Sequence, residues 1–212
     1  LGDVYKRQVK EGIPTTVKFG FSADAFSEIK TKSQLSETTE SVVEDLFVLV
    51  FHKEGNDWVV EKSGWIDNGM NATSGSFSWD ITSGTKRIFA VANSKVSAYT
   101  LSNSLESITT LDEFKALSVD MATNDIFRTG ALLMCGSYGD TENGEVAIRA
   151  ESATYDGIKL KRVDSRITFE VSCTKDGAKF TPQEWYVVNV PKKSYVFGRS
   201  TDIMSSETSL SE

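Results

Sequence analysis

Few side chains in this sequence are placed to do chemistry. His52 is the only histidine in 212 residues. A zinc site of the His-rich kind needs several imidazoles, and a Ser-His-Asp triad would have to use this one. His52 follows Phe51 at the end of an apolar run, which reads as a half-exposed strand-end residue. No GxSxG, HExxH or GxxxxGK[ST] pattern occurs. "DNGMN" (67–71) puts Gly69 where a calcium loop of the EF-hand type needs an oxygen ligand, so it reads as a Gly-centred turn. "DTENGE" (140–145) gathers three carboxylates but reads as a solvated hairpin tip. Asn71 opens an Asn-Ala-Thr sequon. The expectation is a non-enzyme, with no catalytic residue, cofactor or metal.

Cys135 and Cys173 form no CxxC pair, and a bridge between them has no support from spacing. Cys173 continues the alternation of Ile167, Phe169 and Val171, which suits a buried thiol. Of the four Trp, Trp58 and Trp79 alternate with apolar neighbours and read as core. Trp65, inside the Gly-bearing "SGWIDNG", is the candidate for glycan contact. "KLKR" (159–162) alternates charge with Ile158 and Leu160, so its cations fall on the outer face of a strand.

The elements that must carry these residues are mostly strands. Val17, Phe19 and Phe21 alternate in "TTVKFGFS". A polar Ser/Thr/Glu-rich stretch follows, and then "LFVLVF" (46–51), "KEGND" and the renewed alternation of Trp58 and Val60 spell a hairpin. "GSFSWDITSG", "KRIFAVANS", "GALLMCGS", "GEVAIRAES", "GIKLKRVDSRITFEVSC" and "WYVVNVP" read as further strands. "TLDEFKAL" alone signals a helix: Thr110 and Glu113 make a capping box, with Leu111, Phe114 and Leu117 on one face. About ten strands with turns every 8–12 residues predict a mostly-β, antiparallel β-sandwich with one short helix. Residues 199–212 turn polar and read as a linker or the start of a truncated C-terminal domain.

The net charge of −7 argues against nucleic acid as a partner. The longest apolar run, 46–51, is far short of the roughly 20 residues of a membrane-spanning helix.

Taken in order, several segments resemble the N-terminal domain of the Bacteroidales fimbrillin family, the subunits of type V pili. "SQLSETTESVVEDLFVLVFHKEG" resembles the family's early Ser/Thr-rich stretch and strand. "RIFAVANS" resembles its aromatic strand ending in Ala-Asn, and "TTLDEFKALS" its short helix. "LLMCGS", "IKLKRVDSRITFEV" and "FTPQEWYVVNVPKKSYVF" resemble later segments, so that residues 13–198 are covered. Asp164, Arg166 and Cys135 depart from the usual pattern.

The resemblance implies a transthyretin-like, Greek-key sandwich at 9–198. It also implies a structural or adhesive subunit exported as a lipoprotein to the outer membrane. There it polymerises with other pilus subunits by donor-strand exchange, once a protease has removed its first strand. Carried onto this chain, the displaceable strand holds Val17, Phe19 and Phe21. The processing-loop candidates are Lys30 and Lys32, although the family's usual Arg is absent from this loop. Contact with the membrane would run only through a lipid anchor on the precursor, and surface ligands are further expected partners. The alternative is a surface carbohydrate-binding β-sandwich lipoprotein using Trp65. Residues 1–8, "LGDVYKRQ", match the in-frame translation of a transposase adapter. They are expected to be a sequencing scar on a gene fragment from an uncultured community.

Overall fold

The computed structural model describes residues 9–23, 41–66, 70–97, 99, 101–120, 131–163, 174, 177, 181, 186–191, 193–197 and 207–211. They form twelve strands and two short helices. The strands are β1 (Pro14–Ala23), β2 (Leu46–Glu54), β3 (Asp57–Trp65), β4 (Ser74–Thr82), β5 (Gly84–Ala92), β6 (Ser118–Asp120), β7 (Met134–Tyr138), β8 (Glu145–Ile148), β9 (Ala153–Arg162), β10 (Tyr186–Pro191), β11 (Lys193–Tyr195) and β12 (Glu207–Ser211). The helices are α1 (Ser102–Glu106) and α2 (Leu111–Ala116).

Eight strands make one sheet in the order β3-β2-β5-β7-β9-β1-β4, with β8 also paired to β5. The chain is mostly β, as the alternating pattern predicts. All but one of the pairs in this sheet are antiparallel, and the exception is β1 against β9. The sheet curls until its two halves face each other across a core, in the manner of a sandwich. Val17, Phe19 and Phe21 of β1 lie in this core with Val48 and Val50 of β2, Ile88 of β5 and Leu160 of β9.

β3 and β4 end the sheet order, and among the described residues no ladder joins them. Side chains close the gap instead. Glu61 of β3 accepts from the Thr82 amide at 2.6 Å and from its hydroxyl at 2.8 Å. Lys62 Nζ donates to the Asp80 carbonyl at 3.1 Å and stands 5.3 Å from the centroid of the Trp79 ring. The buried Lys86 of β5 completes the seam with an ion pair to Glu61 and a 2.8 Å bond to the Thr82 hydroxyl. Burial pushes the Glu61 carboxyl up, but the Lys86 ammonium and the two Thr82 donors outweigh it and hold it below its ordinary value.

A second core lies on the outer face of β2, β5 and β7. Phe47, Leu49 and Phe51 meet Phe89 and Val91 there, under a cover that includes Leu105 of α1, Phe114 of α2 and Val119 of β6. This double burial explains why residues 46–51 are apolar without alternation: a strand covered on both faces has no solvent side.

The α2 capping box forms as the spacing predicts. The Glu113 amide donates to the Thr110 hydroxyl at 3.3 Å, and the Thr110 amide donates back to the Glu113 carboxylate at 3.1 Å. α1 was not foreseen, because its N-cap is Leu101 and no side chain caps it. It is held by Leu105, which is buried in the second core. β12 lies in the stretch that reads as unpatterned in sequence, and it pairs antiparallel with β10.

Candidate functional site

β1 begins at Pro14, whose fixed φ suits extended chain and whose missing amide costs nothing at a strand start. The alternation that follows sends Val17 and Phe19 inward and leaves Thr16 and Lys18 outside. Both edges of β1 are paired. Residues 14–22 pair antiparallel with β4, in a register that sets Phe19 against Phe77 and Phe21 against Gly75. On the other side Val17 pairs with Ala153 and Phe19 with Tyr155 in the parallel ladder to β9. That ladder shifts register between Gly20 and Phe21, leaving Gly157 unpaired. Before the strand, the Gly12 amide donates to the Ser83 carbonyl at 2.9 Å and the Ser83 amide to the Ile13 carbonyl at 2.8 Å. The buried Ser83 hydroxyl also accepts from the Ile13 amide at 3.1 Å.

Inside the core, rings from four strands line up across β1. Phe19 lies 5.5 Å from Phe77 and 6.2 Å from Tyr155, centroid to centroid. Phe77 continues to Trp79 at 5.4 Å, and Tyr155 to Tyr138 at 6.4 Å. The Tyr155 hydroxyl accepts from the Arg149 amide at 2.9 Å and donates to the Ala147 carbonyl at 3.3 Å, which fixes the ring. Outside, β1, β4 and β9 present hydroxyls and charges. Thr16 donates to Asp80 at 2.6 Å and Lys159 to Ser22 at 2.9 Å. An open depression of about 460 Å³ lies on this face, with Lys18, Ser22, Ser76 and Asp156 among its walls.

The other residues singled out by sequence fall elsewhere. Val17, Phe19 and Phe21 come together as one buried row, while Lys30 and Lys32 lie outside the described residues. Trp65 is half-buried on β3, and its indole N–H donates to Glu106 at 2.6 Å. Lys95 Nζ stands 3.7 Å from its ring centroid, and Phe47 meets it edge-on at 4.9 Å. Any sugar stacking on the face that Lys95 covers has to displace that cation. Trp58 and Trp79 pack against the two cores as expected. His52 is half-buried at the end of β2, and its Nδ1 is buried with no hydrogen-bond partner among the described residues. Cys135 is a free, buried thiol, and burial pushes its pKa far up, which makes it a poor nucleophile; Cys173 lies outside the described residues. Asp140 pairs with Lys161 at 2.7 Å, and no group of three potential metal ligands gathers among the described residues.

Sequence reasoning missed Asn93. It is fully buried with φ +63°. Its side chain accepts from the Glu44 amide and donates to the Val42 and Leu132 carbonyls, each at 2.8 Å. The Ala-Asn that ends the strand in sequence is a knot joining three segments.

The family model described as "Major fimbrial subunit protein (FimA)" matches residues 16–176, most of this fold and all of β9. The chain belongs to the FimA family of fimbrial subunits. The matched span holds β1 from Thr16 onward, together with both of its partner strands. Among solved structures, a "putative cell adhesion protein" from Parabacteroides distasonis superposes with a TM-score of 0.55 at 20% identity. The match covers 94% of this chain and 65% of that one. A fimbrilin from Porphyromonas gingivalis gives 0.48 at 18% identity, over 89% of this chain and 53% of its own. The tip fimbrial protein Mfa3 of Porphyromonas gingivalis, with a C-terminal truncation, gives 0.46 at 14%, over 71% and 48%. The chain thus spans about two thirds or less of the length of each. No curated protein matches it.

Proposed function

We propose that this chain is a structural subunit of a cell-surface fimbrium that polymerises by donor-strand exchange, β1 being the strand removed and replaced. The observation carrying this reading is how β1 is held. It is laddered on both edges and buries Val17, Phe19 and Phe21 in one core, while Thr16 and Lys18 on its outer face stay exposed. Its departure would expose a strand-shaped groove between β4 and β9 and leave the second core whole. A strand from a neighbouring subunit would recover the main-chain bonds, about 0.5–1.5 kcal/mol each. It would also recover about 1.5–3 kcal/mol for each large apolar side chain reburied. Because donor and acceptor are different surfaces, such contacts add head to tail and build a filament.

In this reading the subunit is exported as a lipoprotein to the outer membrane, and the cut that frees β1 falls in the stretch bearing Lys30 and Lys32. The test is to treat the purified chain with a Lys-specific protease, then follow trimming by mass spectrometry and polymers by electron microscopy. Discrete N-terminal trimming followed by filaments or detergent-resistant ladders is expected. Trimming that yields only monomers, or no discrete trimming at all, counts against it.

A further inference from the structure

We infer that the groove under β1 selects its occupant by an aromatic-x-aromatic pair, with one ring slotted between Tyr155 and Phe77 and the next seated over Gly75. This rests on the strand-exchange reading and adds the chemistry of the partner strand.

Two independent features carry it. The first is the Phe19 slot. Rings from both neighbouring strands stand 5.5 and 6.2 Å from the Phe19 centroid, inside the 4.5–7 Å range of favourable ring pairs. The Tyr155 wall is held in place by its two main-chain bonds, so an aliphatic side chain would leave the slot part-filled rather than collapse it. The second is the Phe21 seat. Gly75 faces Phe21 across the β1–β4 ladder, and a Cβ at Gly75 would lie 2.8 Å from two carbons of the Phe21 ring. The glycine weakens β4 as a strand, and a cross-strand aromatic covers the gap it leaves. The unshifted β1–β4 register, Phe19 against Phe77 and Phe21 against Gly75, sets slot and seat two residues apart along the incoming chain.

The experiment uses the full chain with a site-specific protease sequence inserted after residue 23, so that β1 can be cut loose. Fluorescent decapeptides of the Pro14–Ala23 sequence then compete for the groove, in the native form and with Phe19→Leu, Phe21→Leu or both. Phe19→Leu is expected to weaken binding about ten-fold, in line with the worth of a buried ring pair; Phe21→Leu, which uncovers Gly75, is expected to weaken it measurably, and the double change more than either. In Gly75→Val, and in the milder Gly75→Ala should the first fail to fold, the native peptide is expected to lose its advantage over the Phe21→Leu peptide while keeping that over Phe19→Leu. Equal binding of all four peptides to the unaltered groove, or no binding of the native peptide, overturns the inference. Polymerisation is scored separately. A chain that keeps the aromatic preference but never polymerises supports the inference and sinks the strand-exchange reading.

Discussion

β1 and β5 are both interior strands of the same sheet, each with a neighbour on either edge, yet they are held differently. β5 sends Ile88, Ala90 and Ala92 into one core and Phe89 and Val91 into the other. β1 sends Val17, Phe19 and Phe21 into a single core and shows Thr16 and Lys18 to solvent. In the strand-exchange proposal, then, main-chain pairing would not decide which strand leaves; the second covered face would. A replacement for β5 would have to satisfy two sets of pockets at once. A replacement for β1 needs one row of side chains.

The largest expected effect tests this difference directly. Phe89 touches Phe114 at 5.1 Å, Phe197 at 4.8 Å and Phe51 at 6.0 Å. Phe89→Ala should lower stability by about 3–5 kcal/mol. Phe19→Ala should fall lower in that range, because its half-buried neighbour Tyr155 sits closer to solvent. Urea unfolding of both variants checks the order, and a reversed order would break the comparison.

Next comes the single charge that β5 sends inward. Lys86→Ala leaves Glu61 with a buried, uncompensated charge and should cost about 3 kcal/mol, whereas Lys86→Met should cost less than Lys86→Ala. The same pair predicts an acid limb. The Glu61 carboxyl is held below its ordinary 4.5, so its contribution is complete above that pH and is lost as pH falls toward the folded value. Melting temperatures between pH 6 and 3 should therefore fall less steeply for Glu61→Gln than for the unaltered chain.

Asn93, just beyond β5, is third. Asn93→Gly keeps the positive φ accessible but deletes three side-chain bonds, and about 2 kcal/mol should be lost. The smallest effect belongs to α2, which covers the outer face of β5. Thr110→Ala removes the N-cap and should cost about 1 kcal/mol, read as a shift in the urea midpoint.

The hairpin at "KEGND", the α2 capping box and the inward row of β1 were legible because each is a local pattern. A turn, a cap or a period of two is complete within about ten residues. The unalternating run at 46–51 announced a doubly covered strand, but not what covers its second face, since α1 carries no cap signal and Leu105 serves a contact distant in sequence. The parallel pairing of β1 with β9 joins segments more than 130 residues apart, and no local pattern encodes it. Lys86 looks like the charged flank of a strand until the curl of the sheet brings Glu61 beside it. Gly75 reads only as the first residue of a strand until register sets it opposite Phe21. Of the groove itself, then, sequence revealed the filling but not the walls.

What decides strand exchange is whether β1 can leave while β5 stays. Hydrogen exchange on the chain cut after residue 23 measures this strand by strand. The account predicts that β1 amides exchange through an opening that leaves the β2 and β5 amides protected, with the free energy of that opening well below that of global unfolding. Exchange of β1 and β5 amides together, at one free energy, would contradict it.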